Sequence, residues 1–328
     1  MVTQLNTKRI LIFLAFAFGI PWTAALALHL TVGKGDPVKA QALANGIAVS
    51  IPWLANVATR LITREGWGHL WLRPNFRRGW RFYLSAWLLP LLAVIVGGAT
   101  FYLLFPRSFD PNVSGVWRLI GSSPSAAASN PWTVLLFTTL SIMLFTAPIT
   151  AVVSFGEEFG WRAYLLPKLV ERLAQAERVS ASADEPAHAG GLNAVAARKA
   201  ALLVGVIHGV WHWPLIIMTA AFTPGFTFLT PLIYIVFTCS LSILLSWATL
   251  RSGSVWPAAL GHGTVNPTSS LPGCLLTGPA IPLLGPEITG LIGGIGYTLL
   301  ALVLFFSRRA FAGEKEAHPE SVPAVVRA

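Results

Sequence analysis

The sequence predicts an all-α, polytopic transmembrane helix bundle of about eight spans with both termini cytoplasmic, and three observations carry that prediction. Of the 328 residues, 54% are hydrophobic and only 11% charged, whereas a soluble domain carries about 25% charged residues. Apolar windows of roughly 20 residues, the length that crosses a bilayer, recur along the chain, and mean hydropathy is +0.65. With both ends inside, 19 of the 23 Lys and Arg fall in inner segments, and only Lys34, Lys39, Arg107 and Arg118 in outer loops. That asymmetry is the positive-inside pattern. The net charge of +10 is thus a signal of topology, and no nucleic-acid partner is needed to explain it.

The spans follow in order. The first is Ile10–Leu30. Lys8-Arg9 ahead of it and Ala25-Leu26-Ala27 within it imitate a signal peptide, but the run is long enough to span and is expected to be retained. Ala40–Ile62 and Phe82–Phe105 come next, with Arg64, Arg73, Arg77, Arg78 and Arg81 marking the inner loop between them. Pro106–Pro131 reads as an outer loop of Ser, Ala, Pro and Gly, and Trp132–Phe155 is the fourth span. Gln175–Arg198, with AERVSASADEPAHAGG inside it, is expected to be a flexible cytoplasmic linker. Ala200–Ala221 and Phe228–Leu250 are spans five and six. Val255–Leu271 is short and rich in Gly and Pro, as suits a helix packed inside the bundle. Ile288–Phe306 is the eighth, and a polar, disordered tail is expected after Arg309. The expected organisation is 1–131 for the N-terminal spans and outer loop, 132–271 for the core with its linker at 175–198, 272–309 for the last outer loop and span, and 310–328 for the tail. The 13 Trp and 19 Phe fit interfacial belts and lipid-facing surfaces. Cys239 and Cys274 lie in apolar settings and read as packing residues, without a disulfide framework or Cys-based metal site. No internal repeat suggests a repeat-built transporter.

Against this background a few polar residues stand out. Glu157 and Glu158 directly follow the fourth apolar run in SFGEEFGWRAYLLP, where a charged group costs at least about 2.5 kcal/mol to bury. Positions four apart share a helix face and adjacent ones point about 100° apart. Glu158 and Arg162 are therefore partners, with the Glu on the favourable N-terminal side. Glu157 projects elsewhere and has no partner on its own helix. His208 and His212 share one face in LVGVIHGVWHWP, and His262 and Asn266 share another in ALGHGTVNP. If these faces meet Glu157, the bundle holds a carboxylate, two or three imidazoles and an amide in a wet cavity.

These segments resemble a known family. GEEFGWRAYLLP is similar to the EExxxR motif of the CPBP intramembrane proteases, the group that contains the type II CAAX prenyl endopeptidases. GVWHWP resembles its second motif, and GHGTVNP its third, HxxxN; all three occur in the expected order. The resemblance covers roughly Trp132–Leu271. One departure is His208, which stands where the family usually has Phe or Trp; it is a possible accessory ligand or a bulky substitute. The resemblance implies that Glu157 and His212 activate water, that His262 and Asn266 bind the reacting carbonyl oxygen, and that Glu158 and Arg162 hold the site together.

Metal use is open at this level. Glu157, His212 and His262 can serve as three ligands of a catalytic zinc with water in the fourth place, and His208 can replace one of them. Against zinc, HGVWH lacks the Glu of HExxH and Asn is an uncommon zinc ligand, so chemistry without a cofactor is favoured. The resemblance further implies a membrane-associated protein or peptide substrate, lipidated if the CAAX analogy holds, and residence in a bacterial plasma membrane. The rival reading is a proton-coupled transporter or channel that uses the Glu/His cluster as a relay. A polyprenyl transferase is disfavoured, because Asp36, Asp110 and Asp184 are isolated and form no Asp-rich diphosphate motif.

Overall fold

The computed structural model describes residues 2–122, 130–180 and 193–312, which form helices and no strand. In chain order these are α1 (Val2–Leu30), α2 (Pro37–Ala48), α3 (Ile51–Ile62), α4 (Phe76–Leu104), a short α5 (Gly115–Leu119), α6 (Pro131–Ser141), α7 (Ala147–Gly160), α8 (Leu166–Ser180), α9 (Ala194–Trp211), α10 (Trp213–Thr219), α11 (Thr230–Ser252), α12 (Trp256–Thr268) and α13 (Ile295–Phe306). The protein is an all-α polytopic helix bundle. Among the described residues, six helices are long and apolar enough to cross a membrane: Asn6–Leu30, Pro37–Ile62, Phe76–Leu104, Pro131–Arg178, Ala194–Trp211 and Thr230–Ser252. They fall on the first six predicted spans. The seventh and eighth correspond to α12, with 13 residues, and α13, with 12; at 1.5 Å per residue each is about 20 Å long or less, short of a hydrocarbon core of about 30 Å. Residues 181–192 of the linker expected to be flexible, and the tail from residue 313 expected to be disordered, lie outside the described residues.

Local chemistry sets several boundaries. Asp36 caps α2 by accepting from the Lys39 backbone N–H at 2.9 Å, with Pro37 at the first helical position. The fifth predicted span ran to Ala221, but α9 stops at Trp211. Pro214 lacks a backbone N–H, so the chain restarts as α10 after a break at His212. The fourth predicted span ended at Phe155, whereas the helix continues through Glu157 and Glu158 to α8. It contains two π-helical segments, Ile142–Thr146 and Trp161–Leu165. Each ends two residues before a proline, Pro148 and Pro167, whose missing N–H removes one i→i−4 bond. The second segment directly follows the paired glutamates.

α7 and α12 pack against each other, flanked by α3 and α4, while α11 packs on α9, α13 and α4. α12 is mostly buried, as its Gly- and Pro-rich sequence suggests. Two glycines in the motif segments permit close approaches to a neighbouring backbone. A Cβ at Gly160 would lie 2.6 Å from the carbonyl oxygen of Pro52 on α3, and one at Gly263 would lie 2.4 Å from the backbone nitrogen of Ala151 on α7. Gly→Ala inside a helix ordinarily stabilises by about 0.5–1 kcal/mol. Here Gly160→Ala and Gly263→Ala are each expected to destabilise by about 1–3 kcal/mol through overpacking. Thermal melts of the detergent-solubilised variants check this, and a raised midpoint in either would refute the close approach.

At the end of α3 the loop that leads to α4 is pinned to the bundle. Arg60 donates to the Gly66 carbonyl at 2.8 Å, and the Val255 N–H donates to the Trp71 carbonyl at 2.9 Å. Glu65 in this loop receives Lys168, the Tyr164 hydroxyl at 3.1 Å and Arg9 at 3.4 Å, tying α1 to the helix that carries the glutamates. Burial pushes the Glu65 carboxyl up, but the Lys168 hydrogen bond and the charges of Lys168, Arg60 and Arg9 outweigh it and hold the group below its ordinary value.

Candidate active site

Three helices bring the polar residues of the apolar half together. α7 contributes Glu157 and Glu158, the end of α9 contributes His208 and His212, and α12 contributes His262 and Asn266. Glu158 and Arg162 are both fully buried and form the i,i+4 ion pair at 2.9 Å. The same oxygen, Glu158 Oε1, also reaches across helices and lies 2.7 Å from His262 Nδ1. Glu158 is therefore shared between its own helix and α12. A carboxylate taken this far from water needs such partners, because an uncompensated buried charge costs several kcal/mol.

Glu157 has no partner on its own helix, and the structure supplies one from α9. His208 Nε2 lies 3.0 Å from Glu157 Oε2, and both residues are buried. His208, at the position where the family usually has an aromatic residue, is thus in hydrogen-bond contact with Glu157. The ring of His212 lies one turn on, 4.9 Å from that of His208 between centroids. The His262 ring is 6.1 Å from His208. Trp161 and Trp211 wall the histidines, with their ring centroids 5.3 Å and 5.7 Å from His208. Asn266 donates through Nδ2 to the Ser154 hydroxyl at 3.3 Å.

The zinc candidates drawn from the sequence were Glu157, His212 and His262. Among the described residues, ligand atoms of Glu157, His208 and His212 lie within 4.8 Å of one another, the set in which His208 takes the place of His262. His262 is turned to Glu158. The physical reason is register: one helix turn carries His208 and His212 to the same face of α9, whereas α12 docks so that His262 Nδ1 meets the second glutamate.

Two neighbours escaped the sequence reading. Ser154, the partner of Asn266, sits four residues before Glu158 and so shares its face, a signal that helical spacing does offer. Tyr234 of α11 places its ring 5.2 Å from His212; within an apolar run nothing in the sequence marks it. The Asn56 amide of α3 donates to the Phe159 carbonyl at 2.9 Å, beside the widened π turn, and so secures the glutamate helix from the opposite side.

In a comparison with protein families, the model described as Type II CAAX prenyl endopeptidase Rce1-like matches residues 135–268. No curated protein matches the chain. The matched segment contains Glu157, Glu158, Arg162, His208, His212, His262 and Asn266, and over it the chain is similar to the Rce1-like type II CAAX prenyl endopeptidases.

Proposed function

We propose that the protein is an intramembrane endopeptidase of the type II CAAX class, acting on a membrane-associated, lipidated protein or peptide. The observation that carries this reading is the meeting of Glu157 with imidazoles from α9 inside a segment that matches the family. In the mechanism, His208 holds Glu157 Oε2 and leaves Oε1 to accept a proton from water. The water oxygen bonds to the scissile carbonyl carbon, and the proton passes through His212 to the leaving nitrogen as the C–N bond breaks. A neutral His262 that donates Nδ1–H to Glu158 would leave Nε2 as an acceptor. His262 therefore acts as an imidazolium, held by the same carboxylate, and presents Nε2–H to the tetrahedral oxygen beside the Asn266 amide. One such donor is worth about 3 kcal/mol in the transition state. Glu158 and Arg162 keep this arrangement fixed. The chemistry of this reading needs no metal ion, because water is activated by the carboxylate itself.

The test compares membranes from cells that express the wild type or Glu157→Gln at matched levels, with protein termini mapped by mass spectrometry. Termini present only with the wild type are expected, clustered near the C-termini of lipidated proteins. Identical termini from two folded proteins would refute the peptidase reading and direct attention to proton flux in liposomes.

A further inference from the structure

The cluster of Glu157, His208 and His212 is a donor set that a general base alone does not require. One ligand atom from each of the three lies within 4.8 Å of the others, and His208 Nε2 already sits 3.0 Å from Glu157 Oε2. Around a tetrahedral zinc with bonds of about 2.0–2.1 Å, neighbouring ligand atoms are about 3.3 Å apart. Small side-chain rotations bring the cluster to that spacing. Two imidazoles and one carboxylate are a set that zinc favours, and His208 and His212, four residues apart across the end of α9, bring both rings to the same side. His208 is only 1% exposed, so the cluster is shielded from bulk water.

We infer that Glu157, His208 and His212 form a binding site for one divalent transition-metal ion, zinc or an ion of similar preference, and that the bound ion holds the peptidase inactive. Inhibition follows from the carboxylate inventory of the site. Coordination occupies Glu157, the proposed base. The only other carboxylate on this part of α7, Glu158, is fully buried and committed through Oε1 to holding Arg162 and His262. A metal-bound water would thus lack a carboxylate to receive its proton. The inhibitory consequence rests on the peptidase reading, whereas binding does not, and the two are measured separately.

The purified protein is stripped with chelator and titrated with zinc. Bound metal is counted by elemental analysis after gel filtration, and the visible absorption of cobalt added in place of zinc reports tetrahedral N/O coordination. One equivalent is expected. Partners outside the coordination shell are alone worth about 10–100-fold in affinity, so His208→Phe and His212→Phe should each weaken binding at least about 100-fold. His262→Gln, which keeps a hydrogen-bonding group beside Glu158, should bind within a few-fold of the wild type. Melting curves and gel filtration confirm that each variant is folded. Wild type that binds no metal, or a folded His208→Phe that binds as tightly as wild type, overturns the site; so does loss of binding in His262→Gln with retention in His208→Phe. In the activity arm, zinc is expected to suppress wild-type cleavage and chelator to restore it. Activation by zinc overturns the inhibitory role. Absence of cleavage under every condition, with one zinc still bound, counts against the peptidase reading and leaves the site standing.

Discussion

Glu157→Gln is expected to lower kcat by about 10³-fold or more while leaving the melting temperature nearly unchanged. The substitution is close to isosteric. A Gln carbonyl oxygen still accepts from His208 Nε2, the contact that holds Glu157 Oε2 at 3.0 Å, so the fit among Trp161, Trp211 and the histidines persists. What disappears is the ability to take a proton from water. General-base catalysis contributes about 10²–10⁴-fold, and each tenfold is about 1.4 kcal/mol of barrier. The upper part of that range applies here because no second base is free: Glu158 is held by Arg162 at 2.9 Å and by His262 at 2.7 Å. KM is expected to move little, since in the proposed mechanism Glu157 acts on the water and not on the substrate. Purified protein in proteoliposomes, assayed on a lipidated peptide, provides the comparison. A folded Glu157→Gln with wild-type kcat would remove Glu157 from the chemistry.

The second large effect concerns stability. Arg162→Met is expected to cost about 3–5 kcal/mol, because it removes the buried guanidinium paired with Glu158 and leaves His262 as the remaining partner of that carboxylate. Both members of the pair are fully buried, so solvent cannot screen the loss. The double variant Glu158→Gln/Arg162→Met removes both charges and is expected to be more stable than Arg162→Met alone, with a coupling in the double-mutant cycle of more than about 1 kcal/mol. It should nonetheless be inactive, since His262 loses the carboxylate that sustains its imidazolium form. Thermal melts and the proteoliposome assay separate the two effects. If the double variant is no more stable than the single one, the uncompensated charge is not the cause of the loss.

Much of the fold was legible because a bilayer imposes a length and a composition. Six apolar windows became the six long helices, and the Gly- and Pro-rich seventh became the short, buried α12. Ends were less legible. Phe155 looked like a terminus because the next residues are charged, but helix continuity depends on backbone hydrogen bonds and not on apolarity, so the helix runs on through both glutamates. The break at His212 was written in Pro214, but a hydropathy window averages over a single proline.

The site divides in the same way. By itself the sequence determined which polar residues stand out in the apolar half and which of them share a helix face: Glu158 with Arg162, His208 with His212, His262 with Asn266. Helix periodicity is a property of the local backbone, so spacing alone is enough to establish these relations. Only the tertiary structure decided that His208 meets Glu157, that His262 meets Glu158, and that Tyr234 and Ser154 complete the surroundings. Contacts between helices depend on how deeply α7, α9 and α12 approach and rotate against one another. That docking is set by small side chains such as Gly160 and Gly263, whose missing Cβ atoms matter only once a neighbouring backbone is in place.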